Sequence, residues 1–270
     1  LVLREILESQ SEEFQTLMRR SAVYRLPVLK EGIRLICEEL PHWKSYVDQA
    51  VRLSLMERDS SSEIFVQYWV TPLLREDIFR KQGAEERKRC HQAAISYYEG
   101  VLSQSSGYEP IMSFELIEHA LKAKMHKVAI EEAGARLLPY LRNSLAYKEA
   151  LSYGEYILSQ VPEPRKDDKL ARFLFELGWI YADTGDAGQA IKYYQQALSI
   201  DKEVYGERHP SVARDLNNLG SAWEDLGEAK KAIEYYKQAL SIDKEVYGEK
   251  HPHVATTLNN LGGAWKALGK

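Results

Sequence analysis

The sequence predicts an all-α fold whose largest part is a solenoid of repeated helical hairpins. Two observations predict it: a 42-residue stretch occurs twice in succession, and apolar residues inside each copy recur at helical spacing. Gly185–Leu226 and Gly227–Leu268 are identical at 30 of 42 positions. Because so close a copy is typical of chains built from stacked units, the repeat determines the interpretation of the whole chain.

Each copy is predicted to form two helices with apolar faces. Five residues at helical spacing line one face of the first helix: Val212, Leu216, Leu219, Gly220 and Trp223. The second helix follows the sequence "DLGE", and its apolar face holds Ala232, Ile233, Tyr236, Ala239, Leu240 and Ile242. Small and large residues alternate along these faces, so neighbouring helices can interlock closely.

The helix ends are marked by glycine and proline. Gly227 is expected to end the first helix and Gly248 the second, since a positive φ is common at that position. Pro252 is expected to open the next helix, where its missing N–H costs little. Such a hairpin cannot bury its own apolar face and must stack on its neighbours.

The pattern L-x-x-L-G-x-x-[YW], then G, then A-x-x-x-[YF]-x-x-A resembles the tetratricopeptide repeat (TPR), which implies a right-handed solenoid. The matching residues, with their equivalents 42 and 84 positions later where the chain reaches them, are Leu174, Leu177, Gly178, Tyr181, Gly185, Ala190, Tyr194 and Ala197. The usual TPR period is about 34 residues, so the second helix here is predicted to be about two turns longer.

This long repeat, with "LNNLG" and "GE-[RK]-HP-x-VA", resembles the repeats of kinesin light chains and the C-terminal TPR arrays of many bacterial signalling ATPases. The resemblance covers roughly residues 169–270. Upstream, Ala146–Leu158 is predicted to be a degenerate second helix of the same kind.

The first part of the chain does not follow the 42-residue period. Short helices are predicted over Phe14–Val23, Val28–Leu40 and Tyr46–Leu55. A β-hairpin is predicted next, because Ile64, Val66, Tyr68 and Val70 alternate. A further helix is expected to begin with Thr71 as N-cap and Pro72 at its first position.

Three helices followed by a hairpin resemble the winged-helix module of STAND ATPases, the NB-ARC and AP-ATPase relatives. In that family the module follows a nucleotide-binding domain and precedes a helical arm and a sensor array. The resemblance therefore implies a winged-helix-like module over 1–82, a helical arm with degenerate TPR-like helices over 83–165 and a TPR array over 166–270, its last repeat truncated. It also implies a nucleotide-binding domain upstream as a partner.

One position departs from that family. The family often carries a histidine that reads the bound nucleotide at the start of the helix after the wing, and this chain has Thr71 there. A hydroxyl cannot act as an imidazole donor, so direct nucleotide sensing by this module is not implied.

Composition narrows the class of protein. Lys and Arg number 36 and Asp and Glu 40, a net charge of −4, which indicates neither a nucleic-acid nor a membrane partner. Cys37 and Cys90 form no paired motif, as in a reducing compartment, and no transmembrane or signal segment is visible. We expect a cytoplasmic chain that is a fragment of a longer protein, since it starts at Leu1 without Met and stops within a third repeat.

Motifs for catalysis or metal binding are missing from the sequence. There is no P-loop, no HExxH and no paired-cysteine zinc spacing, so no enzyme activity, cofactor or metal is expected of this chain. His209, His251 and His253 lie between helices, where capping and packing explain them better than metal binding. The full-length protein could still be an NTPase.

A winged helix can also bind DNA, which requires a basic recognition helix to neutralise phosphates. The candidate helix, "HWKSYVDQAVRL", contains only Lys44 and Arg52, and the wing "ERDSSSE" is acidic on balance. A structural role is favoured over DNA binding.

The first helices of a TPR array line its concave groove, so partner-binding residues are expected there. Asn217 and Ser221 lie one turn apart on one face, and Asn259 and Gly263 are their equivalents. Asparagine amides can hold the backbone of an extended peptide. Phe175 and Trp179 occupy the same two positions one repeat earlier, either as an anchor pocket or as buried packing.

Two arginines complete the candidates. Arg172 and Arg214 are candidates for clamping a terminal carboxylate, although Thr256 breaks the series.

The predicted function is therefore that of a non-catalytic sensor fragment of a STAND-type ATPase that binds a protein or peptide in the groove. A cargo adaptor of the kinesin-light-chain type is the alternative, and a DNA-binding regulator is third.

Overall fold

The computed structural model describes residues 2–59 and 66–269. The chain divides into two compact units, Leu1–Met125 and His126–Lys270. The division into parts at 1–82, 83–165 and 166–270 stays a prediction. Within the described residues, no helix has the length and apolarity that a membrane span requires.

The first unit contains seven helices and three short strands in the residues that the structure describes. In chain order they are α1 (Val2–Glu8), α2 (Glu12–Ser21), β1 (Val28–Leu29), α3 (Lys30–Cys37), α4 (Trp43–Arg52), β2 (Met56–Asp59), β3 (Gln67–Val70), α5 (Pro72–Arg80), α6 (Ala84–Gln104) and α7 (Pro110–Lys122). Its core is formed by fully buried side chains that include Phe14, Leu17, Met18, Ile33 and Val47.

The strands form a small antiparallel sheet in the order β1–β3–β2. The predicted hairpin is present as β2 and β3, with Met56 opposite Val70, while Ile64 lies outside the described residues. The predicted start of a helix at Val28 is wrong, because Val28 pairs with Tyr68 in strand β1. That partner lies 40 positions along the chain, and apolar spacing within a short segment does not reveal such a pairing.

Thr71 precedes α5 as predicted, and Pro72 occupies the first turn. The Thr71 side chain does not cap the helix, however. Its Oγ1 donates instead to the carbonyl oxygen of Ser54 at 2.9 Å. Thr71 therefore joins the end of β3 to the turn after α4, where Ser54 has a positive φ of 59°.

A buried histidine pair joins α6 to α7 in this unit. The Nδ1 atoms of His91 and His119 are 2.7 Å apart, and Tyr98 stacks on His119 with ring centroids at 5.6 Å. Burial lowers the pKa of His91 to about 4 and that of His119 to about 2. Both rings are therefore neutral at pH 7 and share one N–H···N hydrogen bond.

Acid should destabilise the first unit through this pair. Because the folded pKa of His91 is below its ordinary value of 6.5, the unfolded state binds more protons, and stability falls as the pH drops from about 6.5 towards 4. The titration of His91 alone should lower the free energy of unfolding by about 3 kcal/mol over that pH range. Urea titrations at several pH values measure the loss. In a double variant, His91→Leu with His119→Leu, the free energy of unfolding should change less with pH. An equal change in both proteins would show that the histidine pair is not the cause.

The second unit consists of helices joined by short turns. They are α8 (His126–Glu132), a π-helical turn (Ala133–Leu137), α9 (Leu138–Asn143), α10 (Tyr147–Gln160), α11 (Asp168–Asp183), α12 (Ala187–Tyr205), α13 (Pro210–Asp225), α14 (Ala229–Tyr247) and α15 (Pro252–Ala267). Helices α11 to α15 pack in sequence, each against the next. The predicted helical repeats are confirmed, and α11, α13 and α15 are their first helices.

Close approach between helices depends on one glycine in each repeat. A Cβ on Gly220 would lie 2.5 Å from Cε1 of Tyr236, and a Cβ on Gly178 would lie 2.8 Å from Cδ1 of Tyr194. Tyr236 is almost fully buried and donates its hydroxyl to Glu224 at 3.1 Å. The tyrosine of each second helix thus packs directly over the glycine of the preceding first helix.

The turns between consecutive helices of the array are built as the sequence predicts. Gly227 follows α13 with φ 77°, and Gly248 caps α14 with φ 81°. Before α13, the Nδ1 atom of His209 accepts a hydrogen bond from the Ser211 N–H, and its ring stacks on Tyr205 at 4.1 Å. His251 caps α15 in the same way, so the capping role predicted for these two histidines is confirmed.

Candidate partner-binding groove

Two cavities follow one another along the first helices of the repeats. The first has a volume of about 420 Å³ and is lined mainly by α11, with contributions from α8, the π-helical turn, α12 and α13. The second has a volume of about 300 Å³ and is lined by α13, α15 and the end of α14. Ser211 and Arg214 line both cavities. We refer to the two cavities together as the groove.

Five of the seven predicted partner-binding residues line the groove. Arg172, Phe175 and Trp179 lie in the first cavity, Asn217 lies in the second, and Arg214 lies in both. Ser221 and Asn259 line neither cavity, and both are exposed to solvent. Their role in binding, like that of the other five, stays a prediction.

The aromatic pair of the first cavity is covered by arginines. Phe175 and Trp179 meet edge to face with centroids 5.6 Å apart. The Arg214 guanidinium lies 3.8 Å from the centroid of Phe175, and that of Arg142 lies 3.7 Å from the centroid of Trp179. Phe175 is only 4 % exposed, whereas Trp179 is 37 % exposed. Phe175 therefore packs within the unit, and Trp179 is the aromatic side chain of the pair that an outside molecule can reach.

Trp179→Ala should therefore cost little stability. About two thirds of this side chain is buried and it has one cation–π contact, so the expected loss is about 1–2 kcal/mol. Phe175→Ala is the matched control and should cost about 3–5 kcal/mol, as expected for a buried aromatic residue. Denaturant titration of both variants measures the difference. A loss for Trp179→Ala as large as that for Phe175→Ala would remove Trp179 from the binding surface.

Charged side chains in the first cavity are held by ion pairs. Lys169 lies 3.1 Å from Glu131 and 3.3 Å from Asp168. Glu176 lies 3.6 Å from Arg142, and burial raises the pKa of this carboxyl despite the nearby arginines.

Arg172 is less tightly held than the other cations of this cavity. It is exposed to solvent, and its Nη2 reaches only the carbonyl of Ala135, at 3.4 Å.

The second cavity is lined mainly by uncharged polar groups. The Asn217 Oδ1 accepts a hydrogen bond from Asn260 Nδ2 at 3.2 Å, across adjacent repeats. Asn218 donates to the Arg214 carbonyl oxygen at 2.9 Å, and Thr256 donates to Pro252. The amide nitrogen of Asn217 can still donate to a ligand, as the predicted backbone contact requires.

Two tyrosines of the groove were missed by the sequence analysis. Tyr205 lines the first cavity and Tyr247 the second, 42 positions apart, and they are 43 % and 38 % exposed. Both lie in the last turn of the lengthened second helices, which therefore contribute a wall to the groove. The signal in the sequence is the "EVYG" that recurs 42 positions later, at the end of each second helix.

Within the described parts of the chain, no group of three or more His, Cys, Asp or Glu side chains could hold a metal ion. Cys37 and Cys90 are buried, and burial raises the pKa of both thiols, so neither is an activated nucleophile.

A family model for the tetratricopeptide repeat matches residues 169–245 and 221–270. These residues are tetratricopeptide repeats. TPR folds are generally non-catalytic protein-interaction modules, and the groove lies within the matched residues and the helices just before them. Among curated protein sequences, no match to this chain is found.

Solved structures are similar to the chain at low sequence identity. Two crystal structures of kinesin light chain TPR-like repeats from Podosopora anserina are each 19 % identical, with a TM-score of 0.50. The alignments cover 66 % and 70 % of this chain and 84 % and 89 % of those chains. At this identity the likeness concerns the fold alone.

Two further structures have lower TM-scores. BtubC (BKLC) from P. vanneervenii is 23 % identical with a TM-score of 0.44, covering 70 % of this chain and 68 % of its own. A STAND protein with a tetratricopeptide repeat sensor from Pyrococcus horikoshii is 14 % identical with a TM-score of 0.38. That alignment covers 97 % of this chain and 55 % of the other.

Proposed function

We propose that this chain is the non-catalytic sensor part of a STAND-type signalling ATPase and that its groove binds an extended segment of a protein partner. The observation that carries the binding proposal is the pair of consecutive cavities along the first helices, with Trp179 reachable in one and Asn217 in the other. The aromatic ring of Trp179 can pack against an apolar side chain of the partner, and the amide of Asn217 can hydrogen-bond to the backbone of the same segment.

The STAND assignment is supported by the first unit. Its elements follow the order helix, strand, helix, helix, strand, strand from α2 to β3, and β1 and β2 both pair with β3. This order fits the winged-helix module that the sequence run from "RSAVYRLPVLKEG" onwards resembles. The sparse positive charge of α4, with only Lys44 and Arg52, favours a structural role for this module over DNA binding.

A cargo adaptor of the kinesin-light-chain type is the second candidate. It is favoured by the 42-residue period and by the likeness of fold to the Podosopora anserina repeats. Extending the coding sequence upstream of Leu1 separates the two candidates. A GxxxxGK[ST] loop between a strand and a helix would support the signalling ATPase, whereas a heptad coiled coil would support the adaptor.

Peptide selection tests the binding proposal directly. Displayed random peptides of about ten residues, long enough to span about 33 Å when extended, are selected on the purified chain. Calorimetry then gives their Kd for the chain and for Trp179→Ala. We expect micromolar ligands that weaken in the variant. Ligands that bind both proteins equally would place recognition outside the groove.

A further inference from the structure

Two buried carboxyl groups meet at the junction of the first two repeats. Asp201 on α12 is 2 % exposed, and Asp215 on α13 is fully buried. Both carboxyl groups contact the same nitrogen, Nη2 of Arg214. Arg214 donates to Oδ1 of Asp215 at 2.7 Å and to Oδ2 of Asp201 at 3.2 Å. In the described part of the chain, Oδ2 of Asp215 receives no hydrogen bond from any N–H or O–H group.

The following repeat shows what this junction requires. Asp243 and Thr257 are the equivalents of Asp201 and Asp215, 42 positions later. There the Thr257 hydroxyl donates to Oδ2 of Asp243 at 2.9 Å, and both residues are buried. The junction therefore joins an acceptor on the second helix to a donor on the next first helix. Asp215 stands in the donor position, and a carboxyl group can donate only when it carries a proton.

The charges around the pair favour that protonated state. With both carboxylates ionised, Arg214 opposes two negative charges in a buried site, and repulsion between them is large. The other titratable groups that interact with the pair are His209 before α13, Asp168 on α11, and Tyr194 and Tyr205 on α12. Helix α14 meets this part of α13 through apolar Ala239 and Ile242. In this set a protonated His209 favours an ionised Asp201, and the negative charge of Asp168 opposes it.

Burial raises the pKa of Asp215 to about 7, against the opposing effect of Arg214, and raises that of Asp201 by a smaller amount. The protonated Asp215 donating to an ionised Asp201 reproduces the bond between Thr257 and Asp243.

We propose that Asp201 and Asp215 form a proton-binding site. Asp215 takes up a proton from solvent and, in this protonated form, donates a hydrogen bond to the carboxylate of Asp201 across the junction of the repeats. When the proton is bound, one of the two carboxyl groups facing Arg214 is ionised. When the proton is released, both are ionised. The site exists whether or not the groove binds a peptide. If it does, as the proposed function holds, the charge beside Arg214 and hence the affinity of the groove for an anionic group depends on this proton.

Carbon-13 NMR of the whole chain, labelled only at aspartate Cγ, tests the site without any ligand. Over pH about 4 to about 9, most aspartates should titrate near their ordinary value of about 4. The pair should contribute a resonance with an apparent midpoint near neutral pH. A wild-type spectrum in which every aspartate titrates below about pH 5.5 would overturn the proposal.

Two variants each receive the residue that the other repeat carries at the equivalent position, 215 or 257. Asp215→Thr installs the donor of the following repeat, so the late-titrating resonance should disappear. Thr257→Asp installs a second carboxyl pair, and a second late-titrating resonance should appear. A late resonance that persists in both Asp215→Thr and Asp201→Asn would also overturn the assignment.

Thermal unfolding of the whole chain gives an independent readout. Because the folded pKa of Asp215 is raised, its stabilising contribution is complete below the unfolded value of about 4 and is lost as the pH rises through about 7. The Tm of the wild-type chain should therefore fall between about pH 5 and about pH 8.5 more than that of Asp215→Thr. An equal change of Tm with pH in the two proteins would contradict the proton site.

Discussion

Gly220→Ala should destabilise the repeat array by about 1–3 kcal/mol, although alanine is the better helix former. The added methyl group would lie 2.5 Å from Cε1 and 2.6 Å from Cδ1 of Tyr236. That ring is buried and its hydroxyl is bonded to Glu224, so it cannot move aside without breaking the packing of α14 on α13. Chemical denaturation of the purified variant measures the loss.

Gly262→Ala is the matched control because Gly262 is the equivalent of Gly220, 42 positions later. No atom lies within 4 Å of a Cβ placed there. This variant should gain about 0.5–1 kcal/mol, the ordinary benefit of replacing a glycine within a helix. If both variants changed stability by the same amount and sign, close packing of tyrosine over glycine would not be what holds the two helices of a repeat together.

Asn217→Ala combined with Trp179→Ala should weaken a selected peptide by two or more orders of magnitude. Losing a hydrogen bond to a desolvated partner costs about 1–3 kcal/mol, and truncating an aromatic anchor costs about 2 kcal/mol or more. The two residues line different cavities, so their effects should be nearly additive. Calorimetric Kd values for the single and double variants measure the effect.

Lys192→Ala is the control for this experiment, because Lys192 is exposed on the second helix α12 and lines neither cavity. It should leave the Kd unchanged. A double variant that binds as tightly as the wild-type chain would show that these two residues do not contact the peptide.

Local sequence pattern predicted the repeats well because every determinant lies within 42 residues. The spacing of Leu216, Leu219 and Trp223, the glycine ends and the proline starts all act on neighbouring turns, and copies of the unit confirm one another. The short strand β1 shows the opposite case: Val28 and Leu29 pair with residues of β3, and no local signal distinguishes two apolar residues in a strand from the start of a helix.

The candidate groove was predicted only in part for the same reason. The face of α13 that carries Asn217 follows from helical periodicity. The arginine over Trp179 comes from α9, however, and the sequence alone does not place Arg142 beside a residue 37 positions later. The buried state of Phe175 and the meeting of Asp201 and Asp215 at Arg214 likewise depend on contacts between different helices.

Site-specific photocrosslinking tests most directly whether the groove binds a partner segment. A photoreactive amino acid is placed at Arg172 or Thr256, which lie on first helices and line the first and second cavities, and at Gln195 on the second helix α12; all three positions are exposed. A selected peptide should crosslink from positions 172 and 256 and not from position 195. Crosslinking from Gln195, with none from the two first-helix positions, would contradict a groove that binds along the first helices.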